Sequence, residues 1–162
     1  MWRVIKWLLI LAFSAIASFA GDSAIDRATL KGLTALRVVV DSIPPELEQL
    51  GVAQDELQKQ VTDRLREIGL AANDQTNDFL GVQVQSAQAG RSRKSPFAVT
   101  IVLAAYQLVT LNRDRGIRAV APTWSADTIF IAQPRVLEGM VRGGLAQLVD
   151  HFAAAYRSVN PK

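Results

Sequence analysis

Two stretches of this chain repeat apolar residues with a helical period. Between residues 52 and 68, Leu57, Val61, Leu65 and Ile68 fall at i, i+4, i+8 and i+11, one stripe on a 3.6-residue helix. Lys59, Thr62, Asp63 and Arg66 hold the opposite side, and Asp55 precedes Lys59 at the spacing of an ion pair. Gly69 follows where a left-handed cap belongs. The second helix runs from about Pro134 to Val159, with its proline in the first turn. Leu137, Val141, Leu145, Leu148, Phe152, Tyr156 and Val159 share one face. Its far side is small, with Gly139, Gly143, Ala146 and Ala153, and a glycine inside a helix costs ~1 kcal/mol relative to alanine. A break at Gly143–Gly144 is therefore expected; close packing of another surface there is the alternative.

The other patterns are extended. Ala35–Asp41 carries the β-branched run Val38-Val39-Val40, suited to an interior strand. In Phe79–Gln85, Leu80, Val82 and Val84 alternate with Gly81, Gln83 and Gln85. Phe97–Asn112 is a long strand whose better core face is Phe97, Val99, Ile101, Leu103 and Ala105. A turn at Arg113–Gly116 leads to a partner strand through Pro122, Thr123 and Trp124. Pairing Asn112 with Ile117 sets Trp124 opposite Ala105 and Pro122 opposite Gln107. Proline cannot donate to a ladder, so Pro122 marks an edge strand or a bulge. Asn73–Asp78 and Ser86–Pro96 read as loops, the second long and mobile. The expected fold is α+β, in the order β-α-β-β-β-α: a mixed four-stranded sheet with two helices packed on one face. It spans residues 35–162 as a single domain behind an N-terminal arm at 21–34.

Residues 1–20 have the form of a signal peptide: Arg3 and Lys6, an uncharged run from Trp7, then Ser18-Phe19-Ala20. Cleavage after Ala20 makes the protein exported, periplasmic or extracellular; an uncleaved N-terminal membrane anchor is the alternative. The chain has no cysteine, which excludes a disulfide framework and an acylated-cysteine anchor. Charge changes the picture little. The whole chain is +3, but the leader holds two of its 18 basic residues and none of its 15 acids, which leaves +1. That is no basis for nucleic-acid binding.

Candidate chemistry is sparse. His151 is the only histidine, and the adjacent Asp150 points ~100° away around the helix, so it cannot orient the ring as a triad acid would. Ser125 and Asp127 lie in a strand with nothing joining them to His151. No G-x-S-x-G, paired-acid or phosphate-loop motif occurs, and the loop at Asp74 and Asp78 lacks the spacing of a calcium loop. No enzyme activity, metal or cofactor is expected. Arg91, Arg93 and Lys94 precede the long strand, while Arg113, Arg115 and Arg118 sit at its far turn, roughly 50 Å away along a straight strand. They read as solvated ends, with peripheral contact to anionic lipid head groups as the alternative. The best candidate for partner binding is the edge around Trp124, Thr123, Pro122 and Tyr106, where an aromatic anchor could sit beside unpaired backbone.

The element order resembles small periplasmic α+β domains, such as the N-terminal domain of the Tol–Pal propeller protein and the curli-secretion lipoprotein. Ala121-Pro122-Thr123-Trp124, Leu148-Val149-Asp150-His151-Phe152 and Val159-Asn160-Pro161 are similar to segments of a family of exported bacterial proteins. The chain differs from the lipoprotein members in having no anchor cysteine. The resemblance implies a cell-envelope binding or assembly module acting through protein contacts. A carrier or sensor of a small apolar ligand or lipid, held between sheet and helices, is the alternative.

Overall fold

The computed structural model describes residues 21–161. The leader read at residues 1–20, with its cleavage or anchoring, lies outside them. The chain begins with α1 (Ala24–Ala28), β1 (Ala35–Val40), α2 (Pro45–Glu48), α3 (Gln54–Glu67) and β2 (Ala71–Ala72). There follow β3 (Phe79–Gln88), β4 (Phe97–Leu111), β5 (Asp114–Ala132), a 3-10 turn (Pro134–Val136) and α4 (Leu137–Val159). The sheet order is β2-β1-β3-β4-β5. β1 runs parallel to β2 and β3, and β3, β4 and β5 are successively antiparallel.

The α+β class is as expected, but the described residues form five strands and four helices instead of four and two. The extra elements are short. β2 is two alanines beside Ala35 and Leu36, and α2 is one turn opened by Pro44-Pro45. Neither is long enough to display a period. α1 is set by its capping box: the Ser23 hydroxyl accepts from the Asp26 N–H while the Asp26 carboxylate accepts from the Ser23 N–H. The arm around it is fastened to the end of α4. The Tyr156 hydroxyl donates to the Leu33 carbonyl at 2.9 Å, and Asn160 Nδ2 to the Leu30 carbonyl at 2.9 Å.

One core lies between the sheet and α3 and α4. Leu36, Val38 and Val40 of β1, Leu80, Val82 and Val84 of β3, and Val99, Ile101 and Leu103 of β4 all point into it. The stripe Leu57, Val61 and Leu65 meets them from α3, and Leu137, Val141, Leu145, Leu148 and Phe152 from α4. Gly69, at φ +80°, ends α3 as expected. Lys59 pairs with Asp63 at 2.6 Å and not with Asp55.

α4 is continuous from Leu137 to Val159, so the break expected at Gly143–Gly144 does not occur. The reason lies at Gly144, where a β-carbon would stand 3.3 Å from Ile101 Cδ1 and Phe130 Cε1. That glycine lets the helix approach the sheet. A β-carbon at Gly139 or Gly143 would meet nothing within 4 Å. Gly139→Ala and Gly143→Ala should therefore each stabilise the fold, by up to ~1 kcal/mol. Gly144→Leu should cost about 1–3 kcal/mol through overpacking. Thermal melts of the three variants check the contrast, and a stable Gly144→Leu protein would refute it.

The hairpin of β4 and β5 differs in detail from its expected register. Trp124 does lie opposite Ala105, but Pro122 lies opposite Tyr106 and not Gln107. The turn is at Asn112–Arg113, since Leu111 pairs with Asp114. Two irregularities, at the turn and at Thr123, absorb the difference. β3 continues to Gln88, and the following loop is tied down. Ala89 N–H donates to the Pro96 carbonyl at 2.9 Å, and Ser95 N–H to the Ser92 carbonyl at 2.8 Å.

Candidate functional site

The four residues expected to bind a partner divide between the two faces of the sheet. Pro122 is exposed, and its partner Tyr106 lies on the face turned away from the helices. Thr123 is the extra residue of the bulge, and its hydroxyl donates to Gln107 Oε1 at 2.6 Å. Trp124 turns inward. Its side chain is only 1% exposed, so it cannot serve as an exposed anchor.

The cause is a polar cluster that fixes the indole from below. Trp124 Nε1 donates to Asp22 Oδ1 at 2.7 Å, and Arg27 closes on both Asp22 oxygens at 2.8 and 2.6 Å. His151 Nε2 lies 2.7 Å from Asp22 Oδ2. Phe152 meets the indole edge-on with ring centroids 5.2 Å apart. Burial alone would raise the Asp22 pKa. The hydrogen bonds from Arg27 and Trp124, with the positive charges of His151 and Arg27, instead hold it below the ordinary 3.8. The cluster is structural: it seats the arm against α4 and β5. Asp22 could be suspected from sequence only as the first charge after Lys6, with Arg27 five residues on.

These positions also disperse the catalytic candidates. Asp150 bonds Arg64, at 2.7 Å to Nη2, and is not directed at His151. Ser125 and Asp127 alternate with Trp124 and Ala126, so they belong to the open face and His151 does not. Among the described residues no three His, Asp or Glu side chains gather as a metal site. None of their helices is long and apolar enough to cross a membrane.

The open sheet face is the more informative surface. Tyr106 stacks on Phe79 with centroids 4.6 Å apart and planes at 9°, and the Arg37 guanidinium lies 5.5 Å from the Phe79 centroid. Gly81 makes room for this ladder, since a β-carbon there would stand 2.9 Å from Tyr106 Cε2. On one side is a groove of about 210 Å³ lined by Val39, Gly81, Val102 and Ala104. On the other is a groove of about 470 Å³ between Arg37, the loop at Asp74–Asn77, Leu108 and Val120. Farther along β5, Ile129 and Ile131 stand 71% and 72% exposed. The outer edge of β5 has no strand beside it among the described residues. Among the described residues, the Ser125 N–H donates to the Gly21 carbonyl at 3.1 Å, and the Thr123 carbonyl accepts from the Thr29 hydroxyl at 3.3 Å. Gly21 sits at φ +87°, and a β-carbon on it would collide with the Ser125 hydroxyl, so this approach requires glycine.

The layer between sheet and helices holds Trp124, Phe152, Leu30 and Leu103 among its fully buried side chains. The grooves on the open face lie outside it.

No protein-family model and no curated protein matches the chain. Among solved structures, a PelC dodecamer from Paraburkholderia phytofirmans shares 14% identity at a TM-score of 0.45, over 82% of this chain and 92% of that one. The L103M variant of the same protein gives 14% and 0.44 over the same shares. A minor lipoprotein from Acinetobacter baumannii gives 9% and 0.40, over 80% of this chain and 95% of that one. Likenesses at this level are of layout and carry no function across.

Proposed function

We propose that the protein is an exported component of the cell envelope that acts by contact with a protein partner and not by catalysis. Its working surface in this reading is the open face of the sheet with the adjoining edge of β5. Pro122 and Tyr106 belong to that surface, whereas Thr123 and Trp124 hold its shape from within. The leader pattern at residues 1–20 supports export.

The observation that carries the proposal is the pair Ile129 and Ile131, which stand 71% and 72% exposed beside an unpaired strand edge. Aliphatic side chains at neighbouring same-face positions favour burial against a partner, worth ~25 cal/mol per Å² of apolar area covered. Backbone groups on the edge can add a strand from that partner.

In-cell crosslinking from a residue next to Ile129, followed by recovery from envelope fractions, tests this. A specific product is expected, lost in Ile129→Asp/Ile131→Asp and retained when Lys59→Glu changes the far surface of α3. Products equally abundant in both variants, or none, would overturn the reading.

A further inference from the structure

The chain places a second cationic cluster where the sequence shows only half of it. Arg91, Arg93 and Lys94 belong to the loop between β3 and β4. Arg135 belongs to the 3-10 turn that follows β5, more than forty residues later. Phe97 of β4 pairs with Ala132 of β5, which draws the two segments to the same end of the sheet. There a groove of about 550 Å³ is lined by Arg93, Lys94, Gln133, Pro134 and Arg135. Arg91 and Arg93 continue into a second groove beside it.

The turn that carries two of these cations is built, not loose. Ser95 N–H donates to the Ser92 carbonyl, which makes Arg93 and Lys94 the two corner residues. The Ser92 hydroxyl accepts from the Lys94 N–H at 3.3 Å, and Gln88 Nε2 donates to the Ser92 carbonyl at 2.9 Å. Arg91, Arg93, Lys94 and Arg135 form no ion pair with any described residue. The acid in the adjoining groove, Glu46, accepts a hydrogen bond from the Ser86 hydroxyl at 2.7 Å. Three cations around one groove without an acid repel one another, and a phosphate group relieves that repulsion. The guanidinium fork matches its oxygens two at a time.

Val136, which follows Arg135 directly in sequence, is an aliphatic 46% exposed. Cations that take phosphate, next to an exposed aliphatic able to enter the head-group boundary, are the chemistry of a bilayer surface. We propose that this end of the sheet docks on an anionic phospholipid membrane, with lipid phosphate in the groove of Arg93, Lys94 and Arg135. The opposite end of the hairpin supplies the internal control. Arg113, Arg115 and Arg118 are also three exposed cations, but they lie along the turn and the first residues of β5 and line none of the grooves described above.

The test is sedimentation with vesicles of phosphatidylcholine alone and with 30% phosphatidylglycerol (a composition chosen on the order of natural anionic membranes). It uses the protein as the expressing cell delivers it. A leader, where retained, is common to every variant and both vesicle types. Binding to the anionic vesicles only is expected, weakening as salt rises. Arg93→Gln, Lys94→Gln and Arg135→Gln together should lower it about a hundredfold, at roughly fivefold per cation. Arg113→Gln, Arg115→Gln and Arg118→Gln together, the same loss of charge, should leave it largely intact. Equal losses in the two triple variants would mean diffuse attraction and overturn the groove. So would equal binding to neutral vesicles by protein that begins at Gly21, the expected cleavage product. Saturable binding of inorganic phosphate, by calorimetry, without vesicle binding would make the groove a free-phosphate site and overturn the membrane as its source. None of these outcomes touches the crosslinking at Ile129, so the two proposals fail separately.

Discussion

Trp124→Ala is expected to destabilise the protein by about 3–5 kcal/mol, the range for deleting a fully buried aromatic from a core. Two losses combine. The cavity lies where Phe152 of α4 meets the indole edge, and Asp22 loses the Nε1–H donor. Trp124→Phe separates them, since it keeps most of the volume and removes only the donor. Its expected cost is about 1–3 kcal/mol, that of disturbing a buried hydrogen bond to a charged group. Urea unfolding followed by circular dichroism measures both. A Trp124→Ala protein within about 1 kcal/mol of the parent would show that the indole is not part of the core.

The second large effect is at Asp22 and depends on pH. Its folded pKa lies below the ordinary value of 3.8, because bonds from Arg27 and Trp124 outweigh the cost of burial. The unfolded chain therefore takes up this proton more readily than the folded one. The stability Asp22 contributes is fully present above the unfolded value and is lost as pH falls through the lower folded value. Asp22→Asn should cost about 1–3 kcal/mol near neutrality, and the gap from the parent should close as acid protonates Asp22. Glu46 and Asp63 are held low as well, but they are common to both proteins and cancel in the difference. Asp26 is also held low, and because the Asp22 charge opposes that lowering, the substitution moves Asp26 further down and adds to the change. Urea titrations of the pair from pH 7 to below 3 measure the gap; one that stays constant throughout would rule out the linkage. In the variant the arm at residues 21–33 should also lose hydrogen-exchange protection before the sheet does, because Asp22 joins it to Trp124 and His151.

How much could be read in advance depended on the range of the interactions. The stripe Leu57, Val61 and Leu65 fixed α3 because a helix is a local pattern, and its buried face is the one the period demands. Alternation in Phe97–Ala105 likewise identified the core face of β4. Gly143 and Gly144 misled because propensity prices a glycine without knowing what it faces. Here the sheet at Ile101 and Phe130 needs the missing side chain. Trp124 shows the limit most plainly. Its place opposite Ala105 followed from counting along a hairpin, but its burial follows from Asp22, 102 residues away in sequence. Nothing near Trp124 announces that partner, so an aromatic beside an edge proline looked exposed. Arg135 was missed as a neighbour of Arg93 and Lys94 for the same reason: the two segments meet only once β4 and β5 are paired.

The bulge at Thr123 has a consequence for changes in length. On its C-terminal side Trp124 pairs with Ala105, and on its N-terminal side Pro122 pairs with Tyr106, so Thr123 is one residue more than the ladder needs. The strand thus holds a residue of slack just ahead of its largest buried side chain. A single deletion between Asp114 and Thr123 can be absorbed by closing the bulge, with Trp124 still facing α4. A single insertion in the same stretch finds that slack already used, and must loop out or rotate one side of the strand to the wrong face. The hairpin is therefore more tolerant of shortening than of lengthening, and the tryptophan is shielded from errors of count on the side where the strand is most exposed.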